Sequence, residues 1–265
     1  MGELKKRIIA GVCLTPLIVL VFYLLPPALF FIFLVVIAFI ATLEVLNMAM
    51  VKERVLLSFL VLCSAFPLYI RSYELYIMWV IFSILVYFAT RVFLIRSQSQ
   101  RLYRDIMRAM VVLIFSEIFI MLPLIYFYFL KGINRYLPFI ALFSIWASDT
   151  TAYFFGRFLG RRPLAPHISP KKTVEGLLGA AIGSMIVIGL SGRITGLGIP
   201  ESLLVGALIG VLGQIGDMFE STGKRLCEVK DSSGLIPGHG GILDRIDSFI
   251  FTTPFLYHYI TGIRL

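Results

Sequence analysis

Three aspartates near the C-terminal end of this 265-residue chain have the residue type and spacing of a cation site. Asp244 and Asp247 are three residues apart, so their carboxylates fall on one face as a helix begins. Asp217 lies within an apolar stretch, where a carboxylate is costly and normally faces a cavity, an ion or a partner. Carboxylate oxygens are the ligands that Mg²⁺ prefers. We therefore expect Asp217, Asp244 and Asp247 to hold Mg²⁺, with room for a second cation.

Basic residues and glycines surround these aspartates in a way that is typical of phosphate binding. The glycine-rich run at residues 237–241 exposes backbone N–H groups and permits positive φ, as in loops that wrap a phosphate. Lys and Arg side chains nearby can neutralise phosphate charge. The expected catalytic residues beside the three aspartates are Lys224 and Arg245. Expected phosphate contacts are Ser221, Arg225, Lys230, His239, Gly240 and Gly241, with Glu220 and Asp231 in support. A solvated loop with internal salt bridges is the alternative for the charges alone.

A second polar cluster lies upstream, between residues 146 and 176. Ser169 followed by Pro170 is typical of a helix N-cap with proline at the first helical position. That pattern predicts a helix beginning there, with Lys171, Lys172 and Thr173 in its first turn, where free N–H groups attract an anion. We expect Ser169 and these three residues to bind phosphate. Asp149, inside an apolar stretch, and Glu175 are expected to support the site.

The elements that carry these residues must be membrane helices. Hydrophobic residues make up 59% of the chain and charged residues 15%, and the mean hydropathy is +0.93. A soluble domain averages roughly 25% charged residues, so a water-soluble globule is excluded. The predicted fold is an all-α, polytopic membrane bundle of about nine helices with a polar cavity at its cytoplasmic side. The predicted spans are 8–25, 28–50, 55–71, 74–95, 106–130, 136–156, 174–193, 202–220 and 248–264.

Basic residues set the expected orientation. With the N-terminus inside, most Lys and Arg residues fall in the inner loops, as the positive-inside rule requires. Polar residues concentrate in the second half, so we expect residues 1–135 to form a scaffold and residues 136–265 a catalytic region. The stripe Gly206, Gly210 and Gly213 leads to Asp217, and the glycines alone are best explained by helix packing. The net charge of +9 is explained by anionic headgroups, so no nucleic-acid partner is expected.

The motifs together resemble those of the phosphatidate cytidylyltransferases, the CDP-diacylglycerol synthases. They cover about residues 146–250, and the earlier helices match in general character only. One departure is Gly223, where that family usually has an apolar residue. The motifs are Asp149, Tyr153, Gly156-Arg157, Ser169-Pro170, Lys172-Thr173, Glu175-Gly176, Gly216-Asp217, Ser221, Lys224-Arg225, Lys230-Asp231, Pro237-Gly238-His239-Gly240-Gly241, Asp244-Arg245 and Asp247-Ser248.

The resemblance implies condensation of CTP with phosphatidic acid to CDP-diacylglycerol and pyrophosphate. We expect an integral membrane protein, in the plasma (inner) membrane if the source is bacterial, with the active site facing the cytoplasm. The physical interpretation agrees, because joining two anionic phosphates depends on neutralisation and alignment. A CTP-dependent kinase of a lipid alcohol would need similar groups and stays an alternative. A transporter is the alternative from another class, although inverted repeats are not apparent. The oligomeric state is open, with a homodimer as one expectation.

Overall fold

The computed structural model describes residues 15–94, 100–236 and 240–263, and most of these residues are helical. A π-helix (Ser116–Met121) joins α6 to α7, so residues 100–133 form one continuous rod. The helices in chain order are α1 (Thr15–Leu24), α2 (Pro27–Met48), α3 (Arg54–Cys63), α4 (Ala65–Tyr69), α5 (Tyr73–Leu94), α6 (Gln100–Phe115), α7 (Leu122–Ile133), α8 (Leu137–Phe158), α9 (Val174–Leu190), α10 (Gly192–Thr195), α11 (Ile199–Leu226), α12 (Leu243–Ile246) and α13 (Phe249–Ile263). The predicted helical class is confirmed.

The described helices have the length and surface of an integral membrane protein. By length and composition, four of them can cross a membrane: α2, α5, the rod formed by α6 and α7, and α11. Large apolar side chains are exposed on these helices, for example Phe93 of α5 at 87% and Leu226 of α11 at 81%. Such a surface is suited to lipid rather than to water. The count of nine spans stays a prediction, and residues 8–14 of the first predicted span lie outside the described residues.

The segment before α9 corrects the sequence analysis. Residues Pro163–Ala165 (β1) and Ser169–Thr173 (β2) form an antiparallel hairpin, and α9 begins only at Val174. The prediction of a helix beginning at Ser169 and Pro170 is therefore wrong. The actual N-cap is Thr173, whose hydroxyl accepts a hydrogen bond from the N–H of Gly176 at 3.0 Å. Lys171 and Lys172 consequently project from a strand and do not lie in a helical turn.

Helices α8, α9 and α11 pack closely around their glycines, as expected for the small-residue stripe. The Cα of Gly206 lies against the backbone of Met185, and that of Gly210 against the backbone of Ala180 and Ala181, both in α9. A Cβ at Gly210 would collide with the carbonyl oxygen of Ala180, which cannot move like a side chain. The packing interpretation of these glycines is confirmed.

Candidate active site

Asp217 pairs with a lysine from the hairpin. The Lys172 Nζ lies 2.7 Å from Asp217 Oδ2, and the Ser221 hydroxyl donates to Asp217 Oδ1 at 3.2 Å. Lys172 Nζ also contacts the carbonyl oxygen of Gln214 at 3.4 Å. Strand β2 therefore reaches across to α11, and the structure brings together two residues that are 45 positions apart in the sequence.

Asp247 is buried next to Asp217 because a glycine lets two backbones meet. The Cα of Gly216 in α11 packs directly on the carbonyl oxygen of Asp247, so that a Cβ at this position would collide with that oxygen. The Asp247 carboxylate accepts hydrogen bonds from the N–H of Ser248 at 2.6 Å and from its hydroxyl at 3.2 Å. Burial is the main reason why the pKa of Asp247 is raised well above its ordinary value, and repulsion from Asp217, Glu220 and Asp149 adds to this effect. The site thus concentrates negative charge around one buried carboxyl group.

Lys224 links this acidic cluster to the segment that follows α11. Its side chain is only 10% exposed, and its Nζ pairs with Glu220 one turn earlier and lies 2.6 Å from Asp244 Oδ1. The Glu220 side chain is 1% exposed, and its Oε1 has no hydrogen-bond partner among the described residues. A buried ammonium between two carboxylates is costly to form and is held by both partners. Lys224 therefore lies in the site in a fixed orientation.

Asp244 organises the described part of the segment between α11 and α12, residues 227–236 and 240–242, here called the site loop. Its Oδ2 accepts hydrogen bonds from the N–H of Gly241 at 2.7 Å, and from the N–H and hydroxyl of Ser232 at 3.0 and 2.9 Å. Burial alone would raise the pKa of Asp244. Lys224 and the N–H groups of Gly241 and Ser232 nevertheless hold that pKa below its ordinary value. Asp244 is therefore an ionised carboxylate whose two oxygens are both occupied.

Glu44 is a member of the site that the sequence analysis did not identify. It belongs to α2, is 4% exposed, and accepts four hydrogen bonds from the site loop and the start of α12. Two come from the hydroxyls of Ser233 at 2.6 Å and of Ser232 at 2.9 Å, and the single Ser232 proton is shared with Asp244 Oδ2. The other two come from the N–H groups of Ile242 at 3.0 Å and Leu243 at 2.8 Å. The sequence signal was an acid in an apolar run without obvious partners nearby, for which an interhelical hydrogen bond or ion pair was an adequate explanation. The N-terminal half thus holds the site loop directly.

Asp149 in α8 completes the cluster, and a second unpredicted residue holds it. The Gln214 amide donates to Asp149 Oδ1 at 3.2 Å. Asp149 also interacts electrostatically with Asp217, Lys172 and Arg245. The signal for Gln214 was an amide three residues before Asp217 in an otherwise apolar stretch. The structure therefore brings α8, β2, α11 and α12 to one polar centre.

The other predicted residues lie at the edge of this centre. Glu175 accepts from the backbone N–H groups of Arg161 at 3.0 Å and Arg162 at 3.3 Å, so it fastens the hairpin. Arg225 contacts the carbonyl oxygens of Ile168 at 3.5 Å and Val229 at 3.1 Å. Gly240 has a φ of +82°, as expected for the glycine run. The side chains of Lys171, Lys230, Asp231 and Arg245 are exposed, and Ser169 is half-buried in β2. His239 lies outside the described residues.

The carboxylates fit a cation only in part. Within the described parts of the chain, no group of three or more His, Cys, Asp or Glu side chains is arranged to hold a metal ion. The carboxylate oxygens of Asp244 accept hydrogen bonds from Lys224, Ser232 and Gly241, so Asp244 does not fit the predicted ligand set. Asp247 fits better, because a cation would relieve its repulsion from Asp217. Asp217 would bind the same cation in exchange for Lys172 or Ser221, which contact its two oxygens. The magnesium site stays a prediction, now centred on these two residues.

Comparisons with known proteins identify the family of the chain. The profile of the cytidylyltransferase family matches residues 5–263. The chain is 44% identical over 137 residues to a phosphatidate cytidylyltransferase of Bacillus subtilis, an alignment that covers 50% of this chain and 51% of the relative. A phosphatidate cytidylyltransferase of Synechocystis is 48% identical, over 46% of this chain and 42% of the relative. One of Aquifex aeolicus is 40% identical, over 51% of this chain and 51% of the relative. The aligned part thus spans about half the length of the curated relatives. Since the family profile covers nearly the whole chain, the protein belongs to the cytidylyltransferase family.

Proposed function

We propose that the protein condenses CTP with phosphatidic acid to give CDP-diacylglycerol and pyrophosphate in phospholipid biosynthesis. The observation that carries the proposal is the clustering of Lys172, Asp217, Lys224 and Asp247 at one end of the bundle. This end carries the basic loops, which favours a site at the cytoplasmic face of the membrane, in a bacterium the inner membrane. The names of the relatives support the choice of substrates.

In the proposed reaction, a phosphate oxygen of phosphatidic acid bonds to the α-phosphorus of CTP. The bond from that phosphorus to the bridging oxygen breaks, and pyrophosphate leaves with the bonding electrons. A phosphomonoester is already ionised near neutral pH, so no general base is needed. Lys172 and Lys224 neutralise the approaching phosphates, and their pairing with Asp217 and Asp244 orients both ammonium groups.

A divalent cation, which we expect to be Mg²⁺, would be held by Asp217 and Asp247, with a second cation a further expectation. When bound, it would polarise phosphate oxygens and reduce repulsion between the two substrates. Asp149 and Glu220 add negative charge beside the pair. Direct binding of Mn²⁺, followed by paramagnetic resonance, should weaken in Asp217→Asn and Asp247→Asn but not in Glu74→Gln. Glu74 is an exposed acid at the start of α5.

The test of the activity is incubation of the purified protein with phosphatidic acid, Mg²⁺ and CTP labelled at either the α- or the γ-phosphate. We expect the α-label in the lipid product and the γ-label in pyrophosphate. Asp217→Asn and Asp247→Asn should lose most of this transfer, whereas Glu74→Gln should retain it. Transfer of the γ-label to a lipid alcohol would instead identify a kinase and contradict the proposal. The expected homodimer stays a prediction that sedimentation in detergent would test.

A further inference from the structure

A large apolar cavity lies beside the polar centre, on another face of α11. It has a volume of about 780 Å³ and is lined by the ends of α2, α6 and α11. Its apolar lining residues include Val45, Met48, Val111, Phe115 and Phe219. Ligand cavities of about 300–1,000 Å³ with apolar walls and a few polar groups are typical of small-molecule sites. These walls have little to offer the triphosphate of a nucleotide, so the ligand must be mainly hydrocarbon.

The cavity opens sideways, at the level of the polar centre. Met50, Met107 and Val111 line it and are themselves 74%, 59% and 61% exposed, so its mouth lies on the outer surface of the bundle. Its walls come from the end of α2, the second half of α6 and the end of α11. The end of α11 also carries Lys224. A lipid could therefore enter from the membrane without leaving the headgroup region.

Two charged residues connect the cavity with the polar centre. Glu220 lines the cavity and pairs with Lys224, so the inner end of the cavity is one side chain away from that ammonium group. Arg108 lines the cavity from α6, and its Nη1 makes a long contact of 3.4 Å with the carbonyl oxygen of Ala49. A guanidinium group at the wall complements a phosphate on the ligand. Because Glu220 and Glu228 also line the cavity, Arg108 is the one cationic side chain among its described lining residues where the anionic headgroup of a lipid could lie.

Gly223 keeps part of this cavity open. It lies in the last turns of α11 and lines the cavity, and no atom of the described residues lies within 4 Å of the position where its Cβ would stand. A glycine within a helix costs about 1 kcal/mol relative to alanine, and here no close packing requires it. A larger side chain would project into the cavity.

We propose that this cavity binds an acyl chain of the lipid substrate, and that Gly223 makes room for a long chain. The inference rests on the proposed function and adds to it the place where the lipid lies and a determinant of chain length. The phosphate of the bound lipid points toward Arg108 and Lys224, and its chain lies against Val111 and Phe115.

Cys227, which lines the cavity and is half-buried, provides a test that does not depend on turnover. In a Cys13→Ser, Cys63→Ser protein, the rate of Cys227 alkylation by N-ethylmaleimide can be followed by intact mass. We expect dioleoyl phosphatidate to slow alkylation roughly tenfold at about ten times its dissociation constant. Dihexanoyl phosphatidate and dioleoyl phosphatidylcholine should protect much less. A Cys13→Ser, Cys227→Ser protein, which retains Cys63, serves as the control without protection.

The second measurement is the ratio of kcat/KM for dioleoyl and dihexanoyl phosphatidate. Gly223→Leu should lower this ratio, and so should Met107→Trp, which fills the cavity from the opposite wall if the first variant folds poorly. Gly262→Leu is the matched control, because Gly262 is also a helical glycine with free space around it but does not line the cavity. An unchanged ratio in both cavity variants, or equal protection of Cys227 by phosphatidylcholine, would overturn the inference. Protection by dioleoyl phosphatidate without any nucleotide transfer would refute the proposed function and support the lipid site.

Discussion

Glu44 is the residue whose substitution best tests how the site loop is held. Each of its carboxylate oxygens accepts one backbone N–H and one serine hydroxyl: Oε1 from Ile242 and Ser233, and Oε2 from Leu243 and Ser232. In Glu44→Gln, one oxygen becomes an NH₂ group. Either orientation of the amide therefore places a donor against a backbone N–H. A serine hydroxyl can turn to accept, but the backbone N–H cannot.

The expected loss follows from these bonds. A hydrogen bond to a charged group contributes about 1.5–3 kcal/mol, and the variant loses at least one of them. If the site is active only with the loop in place, this loss corresponds to a decrease in rate of about 10- to 150-fold. The assay is transfer of the α-label of CTP to phosphatidic acid, together with limited proteolysis of the site loop, which should become faster in Glu44→Gln.

The matched control is Glu117→Gln. Glu117 is also a buried acid of the N-terminal half, but its carboxylate accepts from Ser83 and does not reach the site loop. We expect its rate and its loop proteolysis to stay close to those of the native chain. A native rate and native proteolysis in Glu44→Gln would refute the reasoning. An equal loss in both variants would indicate a general effect on the scaffold.

Three further predictions follow from the same contacts. Lys172→Ala should lower the transfer rate roughly 10- to 100-fold, because it removes a charge-assisted contact of about 1.5–3 kcal/mol. Arg161→Ala, a substitution at an exposed position, should change the rate little. Gly210→Ala should lower the unfolding temperature in detergent, because the added Cβ would collide with the α9 backbone. Gly189→Ala should leave the unfolding temperature unchanged, because a Cβ has room at that position. Since the folded pKa of Asp244 lies below its unfolded value, its stabilisation is complete above about pH 4 and is lost as the pH falls through the folded pKa. The difference in unfolding free energy between the native chain and Asp244→Asn should therefore shrink below about pH 4; a constant difference would contradict this assignment.

Several features could be predicted because they depend on local properties of the chain. The length of apolar runs and the cost of a charge in lipid indicate a helical membrane protein without knowledge of any contact. The spacing of Gly206 and Gly210 indicates a packing face, and the structure places both against α9. The motifs around Asp217 and Asp244 resemble one family, and the family profile covers the chain.

The segment around Ser169 shows where local signals fail. Serine followed by proline favours a helix start, yet residues 163–173 form a hairpin. The backbone pairing includes the N–H of Val174, which donates to the carbonyl oxygen of Arg162 at 2.9 Å, and Thr173 supplies the cap four residues later than expected. Cross-strand pairing depends on a second segment, so a propensity at one position could not reveal it.

The roles of individual charges were decided by tertiary structure alone. The spacing of Asp244 and Asp247 suggested two equivalent ligands. In the structure, Asp244 bonds to Lys224 and to the site loop, whereas Asp247 lies near other acidic side chains. Glu44 lies 188 residues before Ser232, and only folding brings the two together. Residue type and spacing report which groups share a helix face. Which partner neutralises a charge depends on helices meeting from distant parts of the chain, because electrostatic energy is set by distance and burial rather than by sequence separation.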